Sequence, residues 1–168
     1  QSIQQGFRPK IISVGKAILY PSNVEVLGEA AHNLSNEVWW TPSHPFKSSL
    51  TGRPAAELAS DFTAASGRPW TQPIGFVHSL FEVASNVMGR VSDVTDADAI
   101  AAAIAATDLD TMVGKVAWNG EGVPDFAKTN VTKTPLVGGQ WRRKEDGTFD
   151  LVIVDNQTAP AIPTGGTM

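Results

Sequence analysis

Two adjacent indoles and a histidine set between two prolines are the residues of this chain best placed to handle a ligand. They fall in EVWWTPSHPFKSS, residues 37–49, which holds Trp39, Trp40 and His44. Pro42 and Pro45 exclude helix here, because each lacks an amide donor and each pushes the residue before it, Thr41 and His44, towards extended dihedrals. The expectation is a buried strand over Val38, Trp39 and Trp40 that leaves its sheet as a stiff, semi-extended crossing. In an open α/β sheet ligands bind outside the carboxyl ends of strands, and the rings and the imidazole stand at such an end. The competing reading places the two rings on opposite sides of the strand as plain core.

Other chemistry has little to draw on. Catalysis needs a nucleophile beside a base, a pair of carboxylates in a cleft, a glycine-rich phosphate loop or a ligand cluster, and none is legible. His32, His44 and His78 lie on separate elements without HxH or HExxH spacing, so the reading assigns no catalytic residue, no metal site and no cofactor. Gly138-Gly139 lacks the lysine and the following helix of a nucleotide loop, and marks a bulge or a close backbone approach. With no cysteine, disulfides and thiolate chemistry are excluded. The net charge of -4 and a pI near 5.3 argue against a nucleic-acid partner. The one dense basic run, Arg142, Arg143 and Lys144, precedes Glu145-Asp146-Gly147 and reads as a solvated hairpin tip. Hydrophobic residues at 42% against 18% charged supply a real core, and no stretch approaches the ~20 apolar residues of a membrane helix.

The elements that must position these residues follow from periodicity. The opening QSIQQG reads as the last turn of a helix capped by Gly6, and a single turn is not stable alone, so an element whose front lies upstream is expected. KIISV, residues 10–14, suits a buried parallel strand ending at Gly15. Pro21-Ser22-Asn23 starts a helix with Val24 and Leu27 buried and Gly28 as its stop, and residues 30–36 loop into the Val38 strand, completing a parallel crossover unit. Pro54 opens a helix whose Leu58, Ala59, Phe62 and Ala65 recur at helical spacing, ended by Gly67 and Pro69. Pro73 opens the strongest helix, with an apolar stripe of Ile74, Val77, Phe81, Ala84, Met88 and Val91. Thr95 with Asp98 resembles a capping box for an alanine-rich helix facing inward through Ile100, Ala103 and Ile104. From Met112 the period becomes that of strands: residues 113–118, 136–141 and 149–154, with turns at Asn119-Gly120 and Asp146-Gly147. The tail from Thr158 onward has no periodicity and is expected to pack on the surface or fray.

The order of these junctions carries a resemblance. The runs GFRPKIISVGKAILYPS, EVWWTPSHPFKSS, QPIGFVHSLFEVA, TDLDTMVGKVAWNG and LVGGQWRRKEDGTFDLVIV together resemble the type I periplasmic solute-binding proteins of ABC importers. More narrowly, they look like the C-terminal part of the branched-chain amino acid (leucine/isoleucine/valine-binding) family. What the resemblance implies is an α/β chain with a β-rich C-terminal end, part of a two-lobed fold whose parallel-sheet lobes are joined by hinge crossings. Residues 1–40 would then belong to the second lobe, 41–45 to a hinge crossing, 46–112 to the first lobe, and 113–168 to the rest of the second lobe and the tail. Prolines suit such a crossing, keeping it extended while a few torsions beside it absorb the motion.

The resemblance also implies where a ligand would sit. Its contacts would come from the loop after residues 10–14, here Lys16 and Ala17, and from the start of the helix at Pro73, here Phe76 and His78, joining Trp39, Trp40 and His44. Amino-acid binders of this kind carry an acid in that first loop to pair with the ligand's ammonium. Lysine stands there instead, which favours an anionic or neutral ligand such as an aromatic or aliphatic carboxylate, unless Lys16 simply points to solvent. The implied protein is not an enzyme. It is a periplasmic or lipid-anchored extracytoplasmic binder that captures a small molecule by hinge closure. Its partners would be the transporter's membrane subunits and the missing N-terminal part of the same protein, with no nucleic acid. Two other readings stand beside it: the ligand-sensing domain of a regulator or receptor on this fold, and an α/β enzyme domain whose active site lies in the missing part.

Overall fold

A computed structural model describes residues 4–168 in two compact units. A terminal unit takes the chain up to Trp39 together with Leu136–Met168, and a central unit is Trp40–Pro135. The chain therefore passes between units at 39/40 and at 135/136. The boundary expected after residue 112 falls inside the central unit, and Trp40 belongs to that unit as well. Both placements have a packing reason: Trp40 lies on Gly75, and Gly114 faces the Phe46 ring. The helix end expected over the first five residues lies partly outside the described residues, although Gly6 does take the left-handed conformation of a cap, with φ +74°.

The terminal unit is built on an antiparallel sheet in the order β1-β4-β5: β1 Ser35–Val38, β4 Val137–Arg143 and β5 Phe149–Asp155. Alternation puts Val38, Val137, Trp141, Phe149, Leu151 and Ile153 on one buried face. The hairpin closes where Asp146 Oδ1 accepts from the backbone N–H and hydroxyl of Thr148, at 2.9 and 2.6 Å, and Gly147 takes φ +87°. Gly139 meets the expectation of a bulge and a close approach: the β4–β5 register shifts between Gly138 and Gly139, and a Cβ at Gly139 would sit 2.4 Å from Val38 Cγ2.

Several expectations for this unit are corrected. Residues 10–14 form no strand. Ser13 makes a single parallel bridge to Ser35, flanked by Val14 N–H to Ser35 O at 2.8 Å and Ser35 N–H to Ile12 O at 2.9 Å, while Ile11 and Ile12 stay exposed. That bridge is the unit's parallel pairing among the described residues, since every named ladder is antiparallel. β1 ends at Val38, before the two tryptophans. Helix α1, Pro21–Glu25, buries Val24 but is too short to bring Leu27 inward. Of the basic run only Lys144 lies in the hairpin loop, while Arg142 and Arg143 end the strand. Arg142 lies in β4, where its guanidinium donates to Gln140 Oε1 at 2.6 Å and to the Thr167 carbonyl at 2.7 Å. The tail needs no correction: it packs on the surface, one of the two outcomes expected of it, with Ile162 buried and Gly165 N–H donating to Ile153 O at 2.9 Å.

The central unit carries α2 Ala55–Ser66, α3 Pro73–Arg90, α4 Ala97–Ala105 and an antiparallel pair, β2 Asp108–Thr111 and β3 Gly114–Ala117. Its core gathers Trp40, Ala55, Ala59, Met112, Val113 and Val116. Gly67 caps α2 in the left-handed conformation at φ +66°. Of the α2 stripe, Ala59 is buried, Leu58 and Phe62 are half-buried and Ala65 is exposed. The cap of α4 is Asp96 rather than Thr95: its carboxylate accepts from Asp98 and Ala99 N–H, while Thr95 is held by Asp93 Oδ1 at 2.7 and 2.8 Å. β2 was not expected, because DLDT offers no apolar alternation and is held by its partner strand.

Candidate functional site

In the terminal unit the structure joins Lys16 to Trp39. Lys16 opens a short 3₁₀ turn, Lys16–Ile18, directly after Gly15. The turn is tied down by Asn23 Nδ2 donating to Ala17 O at 3.0 Å and by the Trp141 indole donating to Ile18 O at 3.0 Å. Lys16 Nζ then stands 5.5 Å from the centroid of the half-buried Trp39 ring, a cation–π contact worth about 0.5–1 kcal/mol near solvent. Ala17 is exposed beside it. Two cavities of the unit, about 410 and 360 Å³, are lined by residues such as Asn36, Glu37 and Asp155 and Lys10, Asn33 and Arg142 respectively, and by none of the expected site residues.

In the central unit Trp40 is core. It has no exposed surface, meets the Trp70 ring edge-on at 6.1 Å between centroids, and presses on Gly75 so closely that a Cβ there would lie 2.3 Å from the indole. The expected extended crossing over 41–45 is instead a turn. His44 N–H donates to Thr41 O at 3.1 Å across Pro42 and Ser43, since proline's fixed φ suits the second position of a β-turn as well as an extended strand. Within that turn Thr41 N–H donates to His44 Nδ1 at 3.0 Å. Nδ1 is thereby the acceptor and Nε2 carries the proton, buried and without a partner among the described residues. Burial pushes the His44 imidazole down to about 4, so the ring is neutral near pH 7.

Phe76 and His78 diverge. Phe76 packs on the core and lines an apolar groove of about 460 Å³. His78 Nε2 lies 2.7 Å from Ser48 Oγ. That pair is not a nucleophile and base in waiting, because Ser48 is buried and its oxygen also accepts from Leu50 and Thr51 N–H at 3.2 Å each. Its work is to shape the loop that follows the turn.

The same loop is gripped by a residue that sequence reasoning missed. Glu82, fully buried, takes Ser49 N–H at 2.5 Å and Ser49 Oγ at 2.9 Å on one oxygen, and Ser79 Oγ at 3.0 Å and Met112 N–H at 2.8 Å on the other. All four donors are neutral, and together they replace the water a buried carboxylate gives up. His78 and Glu82 are one helical turn apart, so α3 holds Ser48 and Ser49 with consecutive rungs. The signal was present: Glu82 is the single acid in α3 and stands inside an apolar run. Among the described residues no group of three or more His, Cys, Asp or Glu gathers to hold a metal ion.

No family model matches the sequence, and no curated protein does. Solved structures do. An ABC transporter substrate-binding protein from Sphaerobacter thermophilus superposes with a TM-score of 0.67 at 18% identity, over 92% of this chain and 39% of its own. The leucine-binding protein LivK of Thermotoga maritima gives 0.66 at 17%, over 94% and 40%. A leucine-, isoleucine-, valine-, threonine- and alanine-binding protein from Brucella ovis in its closed conformation gives 0.66 at 14%, over 99% and 42%. These neighbours are substrate-binding proteins, and this chain spans about two-fifths of their length. The fold of this mixed α/β chain is therefore that of part of a two-lobed type I periplasmic binding protein.

Proposed function

We propose that this chain is the C-terminal part of the extracytoplasmic solute-binding component of an ABC importer. It captures a small organic solute by hinge closure and passes it to the transporter's membrane subunits. The observation that carries the reading is the backbone likeness to three substrate-binding proteins over more than nine-tenths of the chain. A single loop residue narrows the ligand: Lys16, where amino-acid binders of this kind hold an acid, stands over the Trp39 ring. A cation beside an aromatic face favours an aromatic or aliphatic carboxylate over an α-amino acid, whose ammonium it would repel. The N-terminal part of the same protein supplies the other ligand contacts. No helix among the described residues is long and apolar enough to cross a membrane.

The test is calorimetry on the full-length gene product against a panel of amino acids and aromatic and aliphatic carboxylates. One carboxylate should bind, and Lys16→Glu should abolish that binding. Turnover of the same compounds, or unchanged affinity in Lys16→Glu, would defeat the reading as stated.

A further inference from the structure

Gly138 leaves a gap between two acids in the sheet of the terminal unit. In the register of β1, β4 and β5, Glu37 stands opposite Gly138 and Gly138 opposite Asp155, so the three form one row across the strands. Residues opposite one another project to the same face, and with strands about 4.8 Å apart the two acids start about 10 Å from each other. The glycine puts no side chain between them. A Cβ at Gly138 would lie 3.2 Å from Asp155 Cβ and 3.8 Å from Asp155 Oδ2, so that carboxylate leans over the glycine. Asp155 Oδ1 accepts from Gln157 N–H at 3.0 Å, which leaves Oδ2 over the gap. Both acids line the cavity of about 410 Å³, within the range of about 300–1,000 Å³ common for small-molecule sites. No lysine or arginine is among its described lining residues.

A second, independent feature points to a ligand. Asn36 lines the same cavity and is 3% exposed. Its Nδ2 donates to Glu37 O at 3.0 Å, while its Oδ1 is buried with no hydrogen-bond partner among the described residues. Buried polar atoms in folded proteins are nearly always paired, so an acceptor left over beside a cavity marks where a ligand's donor belongs. Ile11 and Leu136, both exposed, add an apolar wall.

We propose that this cavity is a second binding site, one that does not include Lys16 or Trp39, and that it takes a small primary amine in its protonated form. Acceptors on Asn36, Glu37 and Asp155 match the three N–H donors of an alkylammonium, and the two carboxylates supply the countercharge. The alkyl chain lies against Ile11 and Leu136, whose burial favours a carbon chain over ammonia. A ligand with its own carboxylate is repelled by the two acids, which separates this class from the carboxylates assigned to the Lys16 site. A bare metal ion fits poorly: among the described residues no three His, Cys, Asp or Glu gather for one, and this wall offers carbon in place of oxygen.

The test is calorimetry on the full-length gene product with n-butylamine at neutral pH, where the amine is protonated. Butylamine should bind, and Asp155→Asn and Glu37→Gln should each weaken it about 10-fold or more, since each removes a charge and keeps the side chain's shape. Asp155 is exposed, so its variant leaves the fold intact, and a parental melting temperature confirms this. Asp108→Asn removes an exposed acid of the central unit and should leave the affinity unchanged. Trimethylbutylammonium keeps the charge and chain without an N–H donor, and should bind about 10-fold or more weakly than butylamine. Absence of butylamine binding overturns the proposal. So does binding that survives both Asp155→Asn and Glu37→Gln, which would put the amine elsewhere. Equal binding of the quaternary ion also overturns it, because Asn36 Oδ1 would then be unused. A panel carboxylate that is lost together with the amine in Asp155→Asn would mean one shared site and no second one. Should no carboxylate of the panel bind, the solute reading fails and the amine result stands by itself.

Discussion

In the β4–β5 hairpin the apolar alternation and the buried face coincide, whereas α3 buries Gly75, Ser79 and Glu82 beside Val87 and leaves Val77, Leu80, Phe81 and Met88 exposed. The hairpin's choice is local. Once Asp146 and Gly147 close the turn, register follows, and a period of two sends Phe149, Leu151 and Ile153 to one side together. The choice in α3 is made by fit. An indole with no room beside it selects Gly75, and a loop presenting an N–H and a hydroxyl at Ser49 selects Glu82. Hydrophobic period tells which arc of a helix is apolar. Which arc the neighbours at hand will take depends on shape and hydrogen bonding.

The comparison breaks first at Glu82. Glu82→Ala strands the buried Ser79 hydroxyl and Met112 N–H and releases the exposed Ser49, and should cost the central unit about 3 kcal/mol. Urea unfolding followed by tryptophan emission measures this, and a midpoint like that of the parent would mean water already satisfies those donors.

Acid should separate the two units next. The His44 imidazole sits at about 4 in the folded chain against its ordinary 6.5, so the unfolded chain binds the proton first and stability falls as pH drops from 6.5 towards 4. The loss approaches about 3 kcal/mol at 1.36 kcal/mol per unit. It is absent above 6.5, where both states are neutral at this residue. Thermal melts across that range should show a slope that His44→Asn, which keeps an acceptor for Thr41 N–H, largely removes.

A smaller effect tests the hairpin. Gly139→Ala drives a methyl into Val38 Cγ2, 2.4 Å away, and should cost about 1–3 kcal/mol as overpacking; pairing it with Val38→Ala should recover part of that loss. Additive losses in the double variant would show that the glycine serves the bulge and not the contact.

Smallest of all is Phe81→Ser. If the outer arc of α3 packs on nothing in this chain, the isolated 168 residues should change stability by no more than about 0.5 kcal/mol, and a drop as large as that of Glu82→Ala would place Phe81 in the core.

The sequence by itself determined the local punctuation and the elements between: the Pro73 helix start, the Gly67 cap, the Asp146-Gly147 turn and the strands on either side. These depend on dihedral limits and side-chain period, which neighbouring residues set. It also carried the order of junctions from which the architecture was recognised. Tertiary structure decided the rest. KIISV has every local mark of a strand, yet pairing needs a partner and only Ser35 meets it; DLDT has none, yet its partner is one turn away in β3. Trp39 and Trp40 are the same residue type at adjacent positions. One came to rest under a lysine and the other in the core, because the chain passes from one unit to the other between them. Packing is a property of pairs far apart in the chain, and no window along it contains both members.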